Sequence, residues 1–117
     1  MIKYKTSSIP AEGILVTVSD GDIEMGRAIM YVLTNPNRGR KYGILSDVRI
    51  EPEFRGNGTG TELIQKTLEA AKEAGCYKIL ADSRFERKHV HKLYEKFGFN
   101  KHGYEFRLEF EEVPKQS

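Results

Sequence analysis

The stretch of sequence that decides the fold covers residues 47–64 and reads DVRIEPEFRGNGTGTELI. Residues 44–50 carry the period-2 pattern of a half-buried strand. Pro52 ends that strand, because proline has no N–H for the sheet ladder. Gly56, Gly58 and Gly60 then allow the backbone to turn tightly and to approach a ligand with no side chain in the way. The pattern therefore predicts a strand followed by a glycine-rich turn.

A helix is predicted directly after this turn. Thr59 and Glu62 have the spacing of a capping box, and the apolar residues from Leu63 onward fall on one helical face. The free N–H groups of a first helical turn and the positive end of the macrodipole attract an anion. The chain has no Gly-Lys-Ser/Thr of a P-loop, and its glycine spacing differs from the dinucleotide fingerprint. The residues leave two interpretations open: a turn that serves packing, or a pyrophosphate cradle of another kind.

At these residues the sequence resembles the GNAT superfamily of N-acyltransferases. The family's motif is Arg/Gln-x-x-Gly-x-Gly/Ala after a strand that ends in an apolar residue, and here it covers residues 55–60. A second family motif, Leu/Phe-Tyr-x-x-x-Gly-Phe, corresponds to residues 93–99 at the usual separation. The resemblance covers residues 42–110, while the first forty residues match only in pattern.

The resemblance implies an α+β fold with a central mixed, mostly antiparallel sheet of six to seven strands and helices packed on it. The length of 117 residues suits one domain, residues 1–117. Alternation and turn signals predict strands at 2–9, 14–18, 23–33, 44–50, 77–81 and 104–110. Helices are predicted at about 61–74 and from a second capping box, Ser83 and Glu86, to Phe97, with Gly98 ending the second.

The family's cofactor arrangement assigns roles to residues of the central stretch. In that family the strand before the motif and the strand after its helix diverge, and the pantetheine of acetyl-CoA lies in the gap. The resemblance thus implies backbone contacts from Val48, Arg49 and Ile50 to the pantetheine. The backbone amides that it assigns to the pyrophosphate are those of Gly56, Asn57, Gly58, Thr59, Gly60 and Thr61, and Arg55 counts as a further cofactor-binding residue.

Acyl transfer to an amine needs a neutral nucleophile, charge stabilisation at the carbonyl and a proton for the departing thiolate. The resemblance implies that Tyr94 is the general acid, and the other interpretation is a core tyrosine on the apolar face of its helix. Asp47 is the candidate general base, unless it is only a solvated acid on the wet face of its strand. Histidine is also a residue type that serves as a general base, but the histidines at 89, 91 and 102 each have the pattern of a surface residue.

Two departures from the family pattern bear on the ligands. Arg87 stands seven residues before Tyr94, where family members often carry an asparagine that contacts the cofactor, and an arginine can instead bind a phosphate bidentately. The family also inserts two helices between its first two strands, whereas only residues 10–13 separate the predicted strands here. We therefore expect the acceptor side to be open to a large acceptor, or to be completed by a second subunit in a homodimer.

Composition restricts the remaining function classes. The net charge of +2, with acids and bases interspersed, argues against a nucleic-acid partner. The single cysteine, Cys76, is expected to be a small packing residue and fits a reducing compartment. No segment has the pattern of a signal peptide or a membrane span, and no metal site is predicted. The expectation is a cytoplasmic protein with no membrane association.

Together these observations predict an acetyl-CoA-dependent N-acetyltransferase, an acyltransferase that acts on a primary amine of a small molecule, peptide or protein. The alternative is a catalytically idle domain that binds acyl-CoA and regulates a partner.

Overall fold

The structure is a computed structural model and describes residues 1–111, except for the side chain of His89. It divides into two compact units, Met1–Arg84 and Phe85–Ser117. The first unit contains a sheet and one helix, and the second contains another helix. The expectation of a single domain stays a prediction.

The first unit is built on a four-stranded sheet in the order β1-β2-β3-β4. Strands β1 (Glu12–Asp20), β2 (Ile23–Asn35) and β3 (Arg40–Ile50) pair antiparallel, and β4 (Cys76–Ala81) runs parallel to β3. Helix α1 (Thr59–Glu73) connects β3 to β4, as a parallel connection requires. The prediction of a mixed, mostly antiparallel α+β sheet is confirmed, but the expected six to seven strands are wrong, since the described residues form four.

The two missing strands are the predicted segments at the ends of the chain. Residues 2–9 and 104–110 adopt no strand, and all of them are exposed. The alternation of apolar and polar residues predicts which side chains would share a face of a strand. A strand also needs a neighbouring strand that offers backbone hydrogen bonds. Phe106 and Phe110, the clearest apolar positions of the last segment, are 92% and 96% exposed.

The hairpin connections follow the predicted turns. Gly21 has a φ of 59° between β1 and β2, and Gly39 has a φ of 64° between β2 and β3. Strand β2 has a bulge beside Gly26, where Met25 is the extra residue. A Cβ on Gly26 would lie 2.7 Å from the carbonyl oxygen of Arg49, so only glycine allows β2 and β3 to approach this closely.

The core lies between the sheet and α1. Its buried apolar side chains are Ala28, Met30, Val32, Leu45, Leu63, Ile64 and Ala71. The hydroxyl of Thr67 is also buried and donates to the carbonyl oxygen of Leu63 at 2.8 Å. Burying a leucine or isoleucine side chain stabilises by about 1.5–3 kcal/mol, so the N-terminal end of α1 is held on the sheet by Leu63 and Ile64.

Both predicted capping boxes are wrong. Helix α1 begins at Thr59, its N-cap is Gly58, and no side chain caps it. Thr59 is already helical, and the amide of Glu62 donates to the carbonyl oxygen of Gly58 at 3.1 Å. Helix α2 (Lys88–Lys96) begins after Ser83 and Glu86 altogether, with Arg87 as its N-cap. A glycine does end α1, since Gly75 follows the C-cap Ala74 with a φ of 87°.

Candidate functional site

The glycine-rich turn lies between the end of β3 and the start of α1. A short 3-10 turn (Pro52–Phe54) leads into it, and Gly56 and Gly58 have φ angles of 88° and 81°. Such backbone conformations strongly favour glycine. A Cβ on either residue would meet nothing within 4 Å, so the space beside both glycines is open to a ligand. Gly60 differs, because it lies inside the first turn of α1.

The first turn of α1 directs its N–H groups to the same place. The first helical bond of the turn is that of the Glu62 amide. The N–H groups of Thr59, Gly60 and Thr61 therefore precede the helical ladder and have no acceptor within it. They add to the positive end of the macrodipole, and together these features form the geometry of an anion site.

Strand β3 extends beyond its partner β4. The parallel pairing of β3 with β4 ends at the pair Leu45 and Ala81. Beyond this pair, residues 47–50 of β3 pair with β2 and with no other strand among residues 1–111. One edge of β3 is therefore open over the region that contains Val48, Arg49 and Ile50, which we call the strand gap.

Two of these three residues direct backbone groups into the strand gap. The amide of Glu51 donates to the carbonyl oxygen of Met25 in β2 at 2.8 Å. In a trans peptide the preceding carbonyl points the opposite way, so the carbonyl of Ile50 faces the gap. Backbone groups alternate along a strand, so those of Val48 also face the gap and those of Arg49 face β2. The Arg49 side chain lies 3.5 Å from the carboxylate of Glu51.

The carbonyl of Ile50 is already bonded within the chain. Its oxygen accepts a hydrogen bond from Nε of Arg55 at 2.9 Å. The first residue of the family motif thus folds back onto the strand that precedes it.

A bulge in β3 is the feature of this region that sequence reasoning missed. Ile29 pairs with Asp47 while Met30 pairs with Leu45, so Ser46 is the extra residue. A bulge bends its strand and leaves the extra residue unpaired, and this one lies where β3 leaves β4. Nothing in the sequence marks it beyond the polar pair Ser46 and Asp47 in an otherwise apolar run. Asp47 is exposed, and its position opposite Ile29 puts it on the sheet face away from α1.

The hydroxyl of Ser83, near the end of β4, lacks a hydrogen-bond partner in the described part of the chain. The Oγ atom of Ser83 is shielded from solvent and has no hydrogen bond to any of the residues that the structure describes. Ser83 follows β4 by two residues, so it lies at the carboxyl end of the parallel pair, as the strand gap does. Buried polar atoms without partners are uncommon in folded proteins.

Tyr94 lies on α2 in the second unit, where the helix ends in a Schellman motif. The amide of Phe99 donates to the carbonyl oxygen of Tyr94 at 3.1 Å, and the amide of Gly98 donates to that of Glu95 at 3.0 Å. Gly98 has a φ of 91°, which confirms the predicted end of the helix. The half-buried tyrosine ring packs against the ring of Phe99, with centroids 5.2 Å apart.

The other candidate site residues of the second unit are an arginine and three histidines. Arg87 is exposed, and its carbonyl oxygen accepts the amides of Val90 and His91. His91 is half-buried and His102 is exposed, while the side chain of His89 lies outside the described part of the chain.

A separate cleft of about 380 Å³ lies at the end of β3 opposite the glycine turn, and β3 itself is roughly 33 Å long. Its lining residues are Gly39, Arg40, Lys41, Ala74, Gly75 and Tyr77. The guanidinium of Arg40 stacks 3.9 Å from the centre of the Tyr77 ring. These cations lie beside the C-terminal end of α1, where positive charge is favourable, so helix electrostatics account for them.

Cys76 begins β4 and packs against the core cluster around Met30, in the packing role expected from the sequence. Burial raises the pKa of its thiol above the ordinary value, with a further rise from Glu12 and an opposing effect of Lys41. A raised pKa disfavours the thiolate, which is the reactive form. In the described residues 1–111, neither helix is long and apolar enough to cross a membrane.

Several known proteins are similar to this chain in sequence. Residues 3–99 match the sequence profile of the Acetyltransferase (GNAT) family. Glucosamine 6-phosphate N-acetyltransferase of Trypanosoma brucei brucei is 39% identical over 71 residues, which are 61% of this chain and 46% of that protein. Thialysine N-epsilon-acetyltransferase of Mus musculus is 35% identical over 68 residues, 58% of this chain and 37% of that protein. The chain thus spans less than half the length of these relatives.

A solved structure supports the same relationship. The acetyltransferase Tb11.01.2886 of Trypanosoma brucei superposes with a TM-score of 0.71 and 31% identity, over 86% of this chain and 69% of that one. The profile match includes both sequence motifs and most of the chain. The protein therefore belongs to the GNAT family of acetyltransferases.

Proposed function

We propose that the protein is an N-acetyltransferase that transfers an acetyl group from acetyl-CoA to a primary amine. The observation that carries this proposal is the glycine turn. Gly56 and Gly58 take left-handed conformations beside open space, directly before the free N–H groups of α1 and next to the strand gap. An extended ligand with a pyrophosphate at one end and an amide-bearing arm matches this arrangement.

The binding roles follow from where backbone groups point. The N–H groups of Gly56 to Thr61 surround the position of the pyrophosphate, with Asn57 exposed at the tip of the turn. The amide groups of the pantetheine arm replace β4 as partners of Val48 along the open edge of β3. The carbonyl oxygen of Ile50 already accepts a hydrogen bond from Arg55, and we assign the N–H of Ile50, which faces the same side, to the ligand.

The chemistry requires two proton transfers and a stabilised oxyanion. Acetyl-CoA supplies a thioester carbonyl carbon; the amine nitrogen bonds to that carbon and the C–S bond breaks. Tyr94 donates a proton to the departing thiolate, and the proton lost by the amine passes to Asp47, directly or through water. We assign the backbone N–H of Ser46, the extra residue of the bulge, as a donor for the oxygen on which charge develops.

The acceptor is a primary amine on a small molecule or a peptide. The names of the relatives specify an amino sugar phosphate and a lysine analogue, which share a primary amine. Leu15, Tyr31 and Leu80 lie on the sheet face away from α1, the face of Asp47, and are 61%, 44% and 42% exposed. We propose that a large acceptor or a second copy of this chain covers this face, because exposed apolar patches commonly mark interaction surfaces.

One observation favours the alternative function, a catalytically idle domain that binds acyl-CoA. In residues 1–111 no helix precedes β2, so this part of the chain provides no helical wall for an acceptor. Both candidates bind CoA, and only the enzyme releases its thiol in the presence of an amine.

The test combines calorimetric titration with a thiol-release assay. We expect CoA and acetyl-CoA to bind, and at least one member of a panel of amino sugars, polyamines, lysine analogues and peptides to release free CoA from acetyl-CoA. Light scattering at low micromolar concentration, run in parallel, shows whether turnover follows dimer formation. Binding without thiol release for every amine would favour the regulatory domain, and absence of binding would contradict both.

A further inference from the structure

Arg55 completes the open edge of β3 with its side chain. Its Nε donates to the carbonyl oxygen of Ile50 at 2.9 Å. That carbonyl faces away from β2, on the side where β4 has already diverged. The Nε–H group of Arg55 therefore occupies the position that the N–H of a neighbouring strand would have.

We propose that Arg55 is a positioning residue: the hydrogen bond from its Nε to Ile50 holds the glycine turn in its ligand-binding conformation. This inference rests on the proposed function and deepens it. It differs from a direct contact of Arg55 with the cofactor, because here the contact is with the protein backbone. The ligand then meets a turn whose shape is already formed.

The hydrogen bond from Arg55 to Ile50, which we call the tether, is needed because of the glycines that follow Arg55. Fixing the backbone of one residue costs roughly 1–2 kcal/mol of conformational entropy, and glycine loses more freedom than any other residue. The turn contains two glycines, Gly56 and Gly58, separated by one residue. Neither has a side chain whose packing could restrain its backbone. A turn ordered before binding leaves less of this cost to the ligand, so affinity increases.

Substitutions of Arg55 can remove its hydrogen-bond donor and its charge separately. In arginine the nitrogen that makes this bond is attached to Cδ, and in glutamine the amide nitrogen Nε2 is also attached to Cδ. Arg55→Gln thus keeps a donor at the same position and removes the charge. Arg55→Met has similar length and neither donor nor charge, whereas Arg55→Lys keeps the charge and has a carbon where Nε was.

The first measurement is hydrogen exchange of the free protein, followed by NMR. The amides of Phe54 and Glu62 flank the turn and donate to Glu51 and Gly58. We expect both to exchange faster in Arg55→Met and at the parental rate in Arg55→Gln. Equal rates in all variants would overturn the tether, whether or not the protein binds CoA.

The second measurement is the dissociation constant of CoA at 50 mM and 500 mM salt, because high salt screens exposed charges but not the backbone bond. We expect Arg55→Met to bind about three- to tenfold more weakly than the parent, the range of a single hydrogen bond. Arg55→Gln should lie within about twofold of the parent at high salt. Arg38→Gln, in the exposed β2–β3 turn, is the matched control for the loss of one charge.

The outcomes separate the two proposals. If Arg55→Lys binds like the parent while Arg55→Gln and Arg55→Met are equally weak, charge holds the ligand and the positioning role is wrong. If the parent does not bind CoA, the proposed function fails, and the exchange rates still decide whether Arg55 orders the turn.

Discussion

The rings of Tyr94 and Phe99 pack with their centroids 5.2 Å apart and their planes inclined by 39°. This contact joins the third-last position of α2 to the second residue after its C-cap, Phe97, and it accompanies the Schellman hydrogen bonds. The candidate general acid is thus held by the local structure that ends its helix. Its orientation depends on Gly98 and Phe99 as well as on α2.

Tyr94→Phe should lower turnover by about 10²–10⁴-fold, the usual contribution of general acid catalysis, and leave the dissociation constant of CoA nearly unchanged. The variant keeps the ring and its contact with Phe99, so the helix end should be preserved. Steady-state kinetics with the best amine of the panel, together with calorimetry, test this. Tyr4→Phe, on a residue that is 96% exposed, is the control. Parental turnover in Tyr94→Phe would leave Tyr94 as a packing residue.

Gly58→Asp should abolish the thermal stabilisation that saturating acetyl-CoA gives the parent. A ligand at 100 times its dissociation constant stabilises by about 2.7 kcal/mol, and the new carboxylate would repel the pyrophosphate from the turn. Gly21→Asp is a matched control, because Gly21 also has a positive φ and open space but lies in the β1–β2 turn. Equal ligand-induced shifts of the melting temperature in both variants would contradict the cradle.

Ser83→Ala should leave the free energy of unfolding unchanged or raise it by about 1 kcal/mol, although most substitutions of half-buried residues destabilise. An unsatisfied buried hydroxyl carries a desolvation cost of about 1–3 kcal/mol, and alanine removes it. Urea unfolding of the ligand-free protein measures the effect, with Ser19→Ala on an exposed position of β1 as reference. A loss of more than about 1 kcal/mol would show that the hydroxyl has a partner.

The thiol of Cys76 should add a pH dependence to stability. Burial, the largest effect on it, raises its pKa above the ordinary value of 9.0. A group whose pKa is higher in the folded state contributes stability that is present below the unfolded-state pKa and lost as the pH rises through the folded-state pKa.

We therefore expect the free energy of unfolding to decrease as the pH is raised above 9.0, and this decrease to be smaller in Cys76→Ala. The comparison uses the slope against pH, since alanine also changes packing around Met30. Identical slopes in parent and variant would show that the thiol does not contribute.

Much of the first unit could be predicted from the sequence because its signals are local. The hairpin turns at Gly21 and Gly39, the strand before Pro52 and the apolar face of α1 each depend on residues that are close along the chain. The glycine turn was identifiable for the same reason, since Gly56 and Gly58 adopt positive φ angles that other residues rarely take.

The sequence determined where this chain turns, which helix face is apolar and which residues flank the candidate anion site, since backbone sterics and periodicity act over a few residues. Only the tertiary structure decided which predicted strands find a partner, that β4 leaves β3 after Leu45, and that Ser46 forms a bulge there. It also decided that Arg55 bonds to Ile50. These features depend on which backbone groups lie opposite one another across the sheet, and residues distant along the chain set that register.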